Sequence, residues 1–414
     1  MMEGWEIIAF TDCLINNNVG KANQINASEI KKEGRYPVVD QGQDFIAGYS
    51  DEEDKLVKDG LPYVIFGDHT RCFKFVDFPF IVGADGTKVL SPNKDLFDPK
   101  FFFYQLLSLD IPSRGYNRHF KLLKEKHLQK PPLPEQRKIA YVLSTVQKAI
   151  EQQDKLIRTT TELKKALMQK LFTEGIRCLS GAEGSGAETR QKQTEIGPVP
   201  ESWEVVELGK VCEKTKLIDP TRYPNEEFIY VDVSSVNNEL FKVIEYNKIK
   251  GKDAPSRARK LIQTDDVIFA TVRPTLKRIA KITEDLNNQV CSTGYCVLKP
   301  NKSKLNSEFL YQYLQTDDFI ARIEKLQRGA SYPAVRDSDV KGVKIPLPKY
   351  DEQILIGNYL KTLDQKKSLA SSKKQTLTAL FKTLLHELMT GQRRVHEIEF
   401  EALNAEIKEM STSM

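Results

Sequence analysis

Long apolar runs are missing from this 414-residue sequence: no stretch approaches the roughly 18 consecutive apolar residues that a membrane-spanning helix needs. The opening Met1-Met2-Glu3-Gly4-Trp5-Glu6 has neither the basic start nor the apolar core of a secretory signal, so the expected location is the cytoplasm, with no membrane partner. Cysteine is scarce. The six present (Cys13, Cys72, Cys178, Cys212, Cys291 and Cys296) are scattered and form no Cys-x-x-Cys pair, which excludes a disulfide framework. Cys291 and Cys296 are the nearest pair, but no histidine lies close to complete a zinc site, so they are expected to be reduced core thiols and no metal is assigned.

Catalytic signatures are missing as well. The chain has no Asp/Asn-Pro-Pro-aromatic tetrapeptide of an amino-methyltransferase, no Gly-x-Gly nucleotide loop after an apolar strand (Gly184-Ser185-Gly186 lies in a polar linker) and no Gly-Lys-Ser/Thr phosphate loop. Glu29-Ile30-Lys31 matches half of a nuclease pattern, but so short a match arises by chance. The five histidines (His69, His119, His127, His386 and His396) are dispersed, and no catalytic residue is assigned.

What the sequence does contain is a long-period repeat, which organises everything else. Trp5-Glu6-Ile7-Ile8 recurs as Trp203-Glu204-Val205-Val206, and Val64-Ile65-Phe66 as Val267-Ile268-Phe269. The segment Gly86 to Lys94 parallels Gly294 to Lys302, and an aromatic-rich stretch follows each (Phe101-Phe102-Phe103-Tyr104, then Phe309-Leu310-Tyr311-Gln312-Tyr313). Both halves then pass Arg-Gly, at Arg114-Gly115 and Arg328-Gly329, and close on Pro-Leu-Pro at 132–134 and 346–348.

Each Pro-Leu-Pro leads to Glu-Gln (Glu135-Gln136, Glu352-Gln353) and then to about forty residues with no proline, which predicts two long helices. Leu143, Ile150 and Ile157 share one heptad column of the first, and Val146 and Leu167 the other. The register returns 217 residues later in Leu360 and Phe381, with Leu363, Leu377 and Leu384. Two columns staggered by four and three are the seam of a coiled coil, and two copies in one chain most economically pair with each other. Gln153, Lys164, Lys367 and Lys374 interrupt the seam, either fixing its register or marking where it splays or meets a partner. The division expected is a globular domain at 1–134, a spacer helix at 135–177, a linker at 178–200, a second globular domain at 201–348, a second spacer helix at 349–394 and an acidic tail at 395–414.

The net charge of +5 says little by itself, because the two helical segments are basic, the tail is acidic and the rest nearly cancels. Inside the domains, however, the cations are clumped, as a phosphate-binding surface requires. Arg114 to Lys130 holds six Lys/Arg against one Glu, and Lys248 to Lys281 holds ten against three acids. Aromatic and short polar groups accompany them. The candidate DNA contacts are Arg114, Tyr116, Asn117, Arg118, His119 and Lys121 in the first half, with the loop His69, Thr70 and Arg71 after the apolar strand. In the second half they are Arg257, Arg259, Arg273, Thr275, Lys277, Arg278, Arg328, Ser331 and Tyr332. Arg and Asn carry donor and acceptor patterns that fit guanine and adenine edges in the major groove. The loops differ at their tips while the frames match, as expected when one scaffold carries two different readers.

This duplicated order resembles the specificity subunit of type I DNA restriction-modification systems over nearly the whole chain. The carriers are Trp-Glu near each half's start, the Gly-x-x-Val-Leu core, the Pro-Leu-Pro hinge with Glu-Gln after it, and helices ending in Leu171-Phe172-Thr173 and Leu388-Met389-Thr390. Ile196-Gly197-Pro198-Val199-Pro200-Glu201-Ser202-Trp203 resembles the family's opening to a target recognition domain. The resemblance implies an α+β fold with two similar recognition domains, joined by two long antiparallel coiled-coil helices in a pseudo-two-fold internal repeat. It implies a non-catalytic subunit that reads a bipartite double-stranded DNA target. Two methyltransferase subunits would use S-adenosylmethionine to methylate adenine, and restriction/translocase subunits would use ATP and magnesium, leaving no cofactor on this chain. Two other readings remain open at this level: a self-contained restriction enzyme, and a coiled-coil adaptor whose globular heads bind protein.

Overall fold

A computed structural model describes residues 4–113, 115, 117–176 and 190–398. Cys178, Arg114 and Tyr116 lie outside the described residues, as does most of the expected linker and acidic tail. Helices and strands mix throughout. The α-helices of the described residues are α1 (Pro99–Leu107), α2 (Phe120–Lys124), α3 (Leu133–Glu174), α4 (Ser307–Leu314), α5 (Asp317–Glu324), α6 (Asp337–Gly342) and α7 (Tyr350–Thr390). None is long and apolar enough to cross a membrane. The chain divides into two units, one of residues 1–155 with 370–414 and the other of residues 156–369.

In the first unit, strand Tyr63–Gly67 is buried along its whole length, which is why it reads as an unbroken apolar run. It pairs antiparallel with Phe73–Val76 on one side and Thr87–Leu90 on the other. A second sheet has the strand order Gln24–Ile25, Ile81–Gly83, Tyr36–Val39, Gly48–Ser50. Trp5 introduces a strand, Glu6–Ala9, that pairs with His127–Lys130 just ahead of the Pro-Leu-Pro hinge. Helix α1 starts where Asp98 caps it, accepting from the Lys100 and Phe101 N–H groups at 3.0 Å, with Pro99 at the first helical position.

The second unit repeats this plan. Val267–Ala270 is buried between Ile279–Lys281 and Tyr295–Pro300, and Asn306 caps α4 through the Phe309 N–H at 3.0 Å. Glu204–Glu207 pairs with Lys344–Leu347, as its counterpart does in the first unit. Residues of the Ile-Gly-x-x-Pro preface belong to a separate hairpin, Gln191–Thr194 with Gly197–Pro200, so the framing strand after each tryptophan is completed without it.

The long helices take part in both cores. In the first unit Leu143, Val146 and Ala149 of α3 share a cluster with Leu377, Leu384 and Leu388 of α7, and Ile150 and Phe381 pack against it half-buried. In the second unit Leu171 and Phe172 share one with Ile356 and Leu360, with Leu167 against it. Ile157 and Leu363 are half-buried. Lys164 reaches both carboxylate oxygens of Asp364, at 2.7 and 2.8 Å, and the Gln315 amide oxygen at 3.2 Å. Burial pulls its ammonium below the usual lysine range, against the opposing pull of Asp364. Farther along, Lys374 meets Asp154 at 2.6 Å on a more exposed face.

The five cysteines among the described residues are free, and burial raises the Cys13, Cys212 and Cys296 thiols to about 12, so they remain protonated. Asp266 is the buried acid of greatest consequence. Burial raises its carboxyl to about 6, although the Gln263 N–H donates to it at 2.9 Å. A folded value above the unfolded one means that its stabilising contribution is complete below about pH 4 and is lost as pH rises through about 6. Asp266→Asn keeps an oxygen for the Gln263 N–H and removes the buried charge. The variant is expected to be more stable than the parent by about 1 to 3 kcal/mol at pH 7.5, with the difference closing near pH 4. Thermal midpoints of the two proteins measured across that range check it, and a constant difference would rule out the charge as its origin.

Candidate nucleic-acid interface

In the first unit the candidate loop joins strands Tyr63–Gly67 and Phe73–Val76. The Gly67 N–H donates to the Cys72 carbonyl at 2.9 Å and closes the loop. Asp68 is 2% exposed and acts as its internal post. Its carbonyl accepts from the His119 N–H and lies 2.9 Å from that residue's Nδ1, and its carboxylate accepts from the Phe120 N–H at 2.7 Å. His119, expected on a DNA-facing surface, has no exposed surface, so it ties the basic segment to the loop from the inside.

Gln41 braces the loop from a second direction. Its carbonyl accepts from the Thr70 hydroxyl at 2.5 Å and its side-chain oxygen from the His69 N–H at 3.1 Å. A Cβ on Gly86, whose φ is +76°, would lie 2.6 Å from that same side chain, so this approach requires glycine. Arg71 has φ +62°, and its Nη1 donates to the Ile111 carbonyl at 2.8 Å. Asn117, Arg118 and Lys121 are exposed.

The second unit carries its loop between Val267–Ala270 and Ile279–Lys281, closed by the Ala270 N–H donating to the Arg278 carbonyl at 3.0 Å. Arg273 and Lys277 both adopt left-handed backbone, with φ +48° and +53°. The Arg273 N–H donates to the Pro333 carbonyl at 2.7 Å, and its guanidinium lies over the Tyr332 ring, 5.1 Å from the centroid. Tyr332 is 71% exposed, and Thr275, Leu276, Ser331 and Arg273 are exposed beside it. Together they form an outward cation, ring and hydroxyl cluster that can stack on or donate to a base edge.

Other candidates in this unit are occupied internally. Arg278 donates to the Val233 and Val236 carbonyls at 2.9 and 3.1 Å. Arg259 donates to the Ala258 carbonyl at 2.8 Å and lies 3.6 Å from the Asp219 carboxylate. Lys277 donates to Asp317 at 2.6 Å, a hydrogen bond that holds that carboxyl below the usual range. Arg328 grips both oxygens of Asp339 at 2.6 and 3.2 Å, holding the acid low in the same way, while its backbone pairs with Ala334. Arg257 is exposed.

Gln41, Asp68, Asp317 and Asp339 are not among the candidates that clustered cations pick out. Only Asp68, inside its loop, carries a local signal; Gln41, Asp317 and Asp339 stand 28, 40 and 11 positions from His69, Lys277 and Arg328, which they hold. Among the described residues, no group of three or more His, Cys, Asp or Glu side chains gathers as a metal site.

A family profile described as type I restriction modification DNA specificity domain matches residues 2–158 and 200–379. The type I restriction enzyme MjaVIII specificity subunit of Methanocaldococcus jannaschii is 26% identical over 421 aligned positions, spanning 96% of this chain and 95% of the relative. The HsdS subunit structure from Thermoanaerobacter tengcongensis is 42% identical over 43% of this chain and about half of its own, 47%, with a TM-score of 0.38. The type I restriction-modification S subunit from M. genitalium is 20% identical, with a TM-score of 0.62 over 93% of this chain and 96% of that one, a likeness of fold. The profile's two matches cover most of the sequence, one on each copy of the internal repeat, and the chain belongs to the family of type I restriction-modification DNA specificity proteins.

Proposed function

We propose that this chain is the DNA-reading subunit of a type I restriction-modification complex and performs no chemistry itself. Residues 1–134 and 201–348 each read one half of a bipartite double-stranded target. The helices of 135–177 and 349–394, with the linker 178–200 between the halves, act as an antiparallel coiled-coil spacer, and 395–414 is a tail. One observation carries the reading: the same framed hairpin occurs in each unit, and the loops it supports differ in length and sequence. Conserving a scaffold while changing its tip is how one fold serves two DNA sequences.

The antiparallel pairing is supported by contacts inside each unit. In the first, going forward from Glu135 to Asp154 the partners run back from Arg394 to Lys374; in the second, going forward from Lys164 to Ile176 they run back from Asp364 to Glu352. Two methyltransferase subunits, acting with S-adenosylmethionine on adenine, and restriction/translocase subunits using ATP and magnesium complete the complex, in the cytoplasm. The proposed reading surface is Asn117, Arg118 and Lys121 with the loop residues His69 and Thr70 in the first domain, and Arg257, Arg273, Thr275, Ser331 and Tyr332 in the second.

The direct experiment is a modified-base map of genomes from cells with the companion methyltransferase, with and without this chain. One N6-methyladenine motif, two short halves around a fixed gap, is expected to vanish with the chain; an unchanged map in an active system would refute the reading. On a duplex carrying that motif, Arg273→Ala and Tyr332→Ala are each expected to weaken binding of the complex by about 1 to 3 kcal/mol and relax the preference at the second half alone. Equal affinity across a panel of half-site variants would remove these two residues from the surface.

A further inference from the structure

We propose that Arg71 and Lys277 are equivalent positioning residues, each setting the shape of the reading loop in its own unit, and that neither is a phosphate contact. The inference rests on the reading of these loops as DNA-reading elements. Their equivalence comes from hairpin register. Gly67 N–H to Cys72 carbonyl closes one loop and Ala270 N–H to Arg278 carbonyl closes the other, so Arg71 and Lys277 each stand one residue before closure. The sequences between differ in length and share no tip pattern.

Two unusual features are nevertheless common to these positions. Both residues are left-handed, at φ +62° and +53°, a conformation that costs a side-chain-bearing residue on the order of 1 kcal/mol and persists only where the surroundings impose it. Both also send the cation back to a backbone carbonyl in the segment that follows the first α-helix after the hairpin. Arg71 reaches Ile111, beyond α1, at 2.8 Å, and Lys277 reaches Gln315, at the end of α4, at 3.4 Å. In the second unit Asp317 strengthens the anchor at 2.6 Å; in the first, Asp110 lines the same open cleft of about 560 Å³ as Arg71 and Ile111. A left-handed residue fixes the direction in which the loop before it runs, and a cation fastened to the core holds that turn. The residues it positions are Thr275 and Leu276, exposed, in one unit, and His69 and Thr70, half-buried and braced by Gln41, in the other.

Salt separates the two roles. A lost phosphate contact lowers the slope of log affinity against log salt by about 0.9 and weakens binding to every sequence alike. A lost anchor leaves that slope in place and erodes discrimination. The experiment uses the full chain in complex with its methyltransferase. Binding is measured from 50 to 200 mM salt on duplexes with the mapped motif and with single changes in each half. Arg71→Ala is expected to reduce affinity for the motif about ten-fold through the first half only, and Lys277→Met to do so through the second only, both with an unchanged salt slope. Arg71→Lys and Lys277→Arg recover much of the loss. Asp317→Asn, which frees Lys277 and adds one net positive charge, is expected to lower discrimination at the second half, whereas a phosphate-binding Lys277 would bind as well or better.

A slope reduced by about 0.9 with equal loss on all duplexes overturns the proposal, as does unchanged discrimination in every variant. Should the alanine and methionine variants fail to fold, the conservative variants and Asp317→Asn decide. A wild-type complex that discriminates no sequence removes the underlying reading instead, and is recognised before any variant is compared.

Discussion

Replacing Gln353 with leucine is expected to destabilise the second unit by about 3 to 5 kcal/mol and to leave the first unit's strands unaffected. Gln353 is 1% exposed, and its amide nitrogen donates to the Lys304 and Pro348 carbonyls, both at 2.9 Å. Its side-chain oxygen accepts from the Asn306 N–H at 2.8 Å, on the residue that caps α4. One side chain, itself buried, thus satisfies three backbone groups, one in a buried bond and two in part-buried ones, joining the start of α7, the Pro-Leu-Pro hinge and the cap. Leucine fills similar space and satisfies none of them. Each buried group left without a partner costs about 1 to 3 kcal/mol, and partial relaxation holds the sum to the range given. Gln136 does the same work in the first unit, donating to Leu96 and Pro131 at 2.9 and 2.7 Å and accepting from the Asp98 N–H at 2.8 Å. Gln136→Leu therefore carries the reciprocal expectation. Hydrogen exchange of the full-length chain should show faster exchange in Val267–Ala270 and Tyr295–Pro300 for Gln353→Leu, and in Tyr63–Gly67 for Gln136→Leu. Uniform acceleration in both variants would contradict the assignment.

The glutamines illustrate what was legible in the sequence. A repeated Pro-Leu-Pro with Glu-Gln after it is visible without coordinates, and so is the tryptophan that opens each half. Their joint purpose is not visible, because the partners are far apart in sequence. Trp5 Nε1 donates to Glu135 at 3.2 Å and Trp203 Nε1 to Glu352 at 3.0 Å, so the Glu of each Glu-Gln pair holds the indole at the opposite end of its own unit. Helices and buried strands were legible because their signals are local: heptad spacing and uninterrupted apolar runs. The interface was legible only as a region. Residue type reports that Arg278 is charged and that His119 can hydrogen-bond, but Val233, Val236 and Asp68, which occupy them, lie roughly forty to fifty positions away. Whether a cation faces solvent or anchors a loop depends on closures of that span, which no local pattern encodes.

Lengthening both long helices by one heptad, in α3 near Leu156 and in α7 near Ala370, is expected to abolish methylation of the original motif and create one with the same halves and a wider gap. Seven helical residues add about 10 Å, close to the rise of three base pairs. A full heptad keeps the apolar columns on one face, so Val146 and Leu384, or Leu171 and Ile356, remain able to meet. Three added base pairs match the new length but rotate the second half-site by almost a third of a turn, whereas two limit the twist and leave an axial mismatch of about 3 Å. The new gap is therefore expected to be two or three base pairs longer, the choice falling to whichever distortion the intervening DNA accepts more cheaply. Inserting the heptad in α3 alone sets Lys164 out of step with Asp364, burying a cation without its carboxylate, and should abolish methylation of both motifs. The modified-base map reads all three outcomes. An unchanged gap in the doubly lengthened protein would mean that the helices do not set the spacing, and the distance between half-sites would then have to arise in the recognition domains or in the partner subunits.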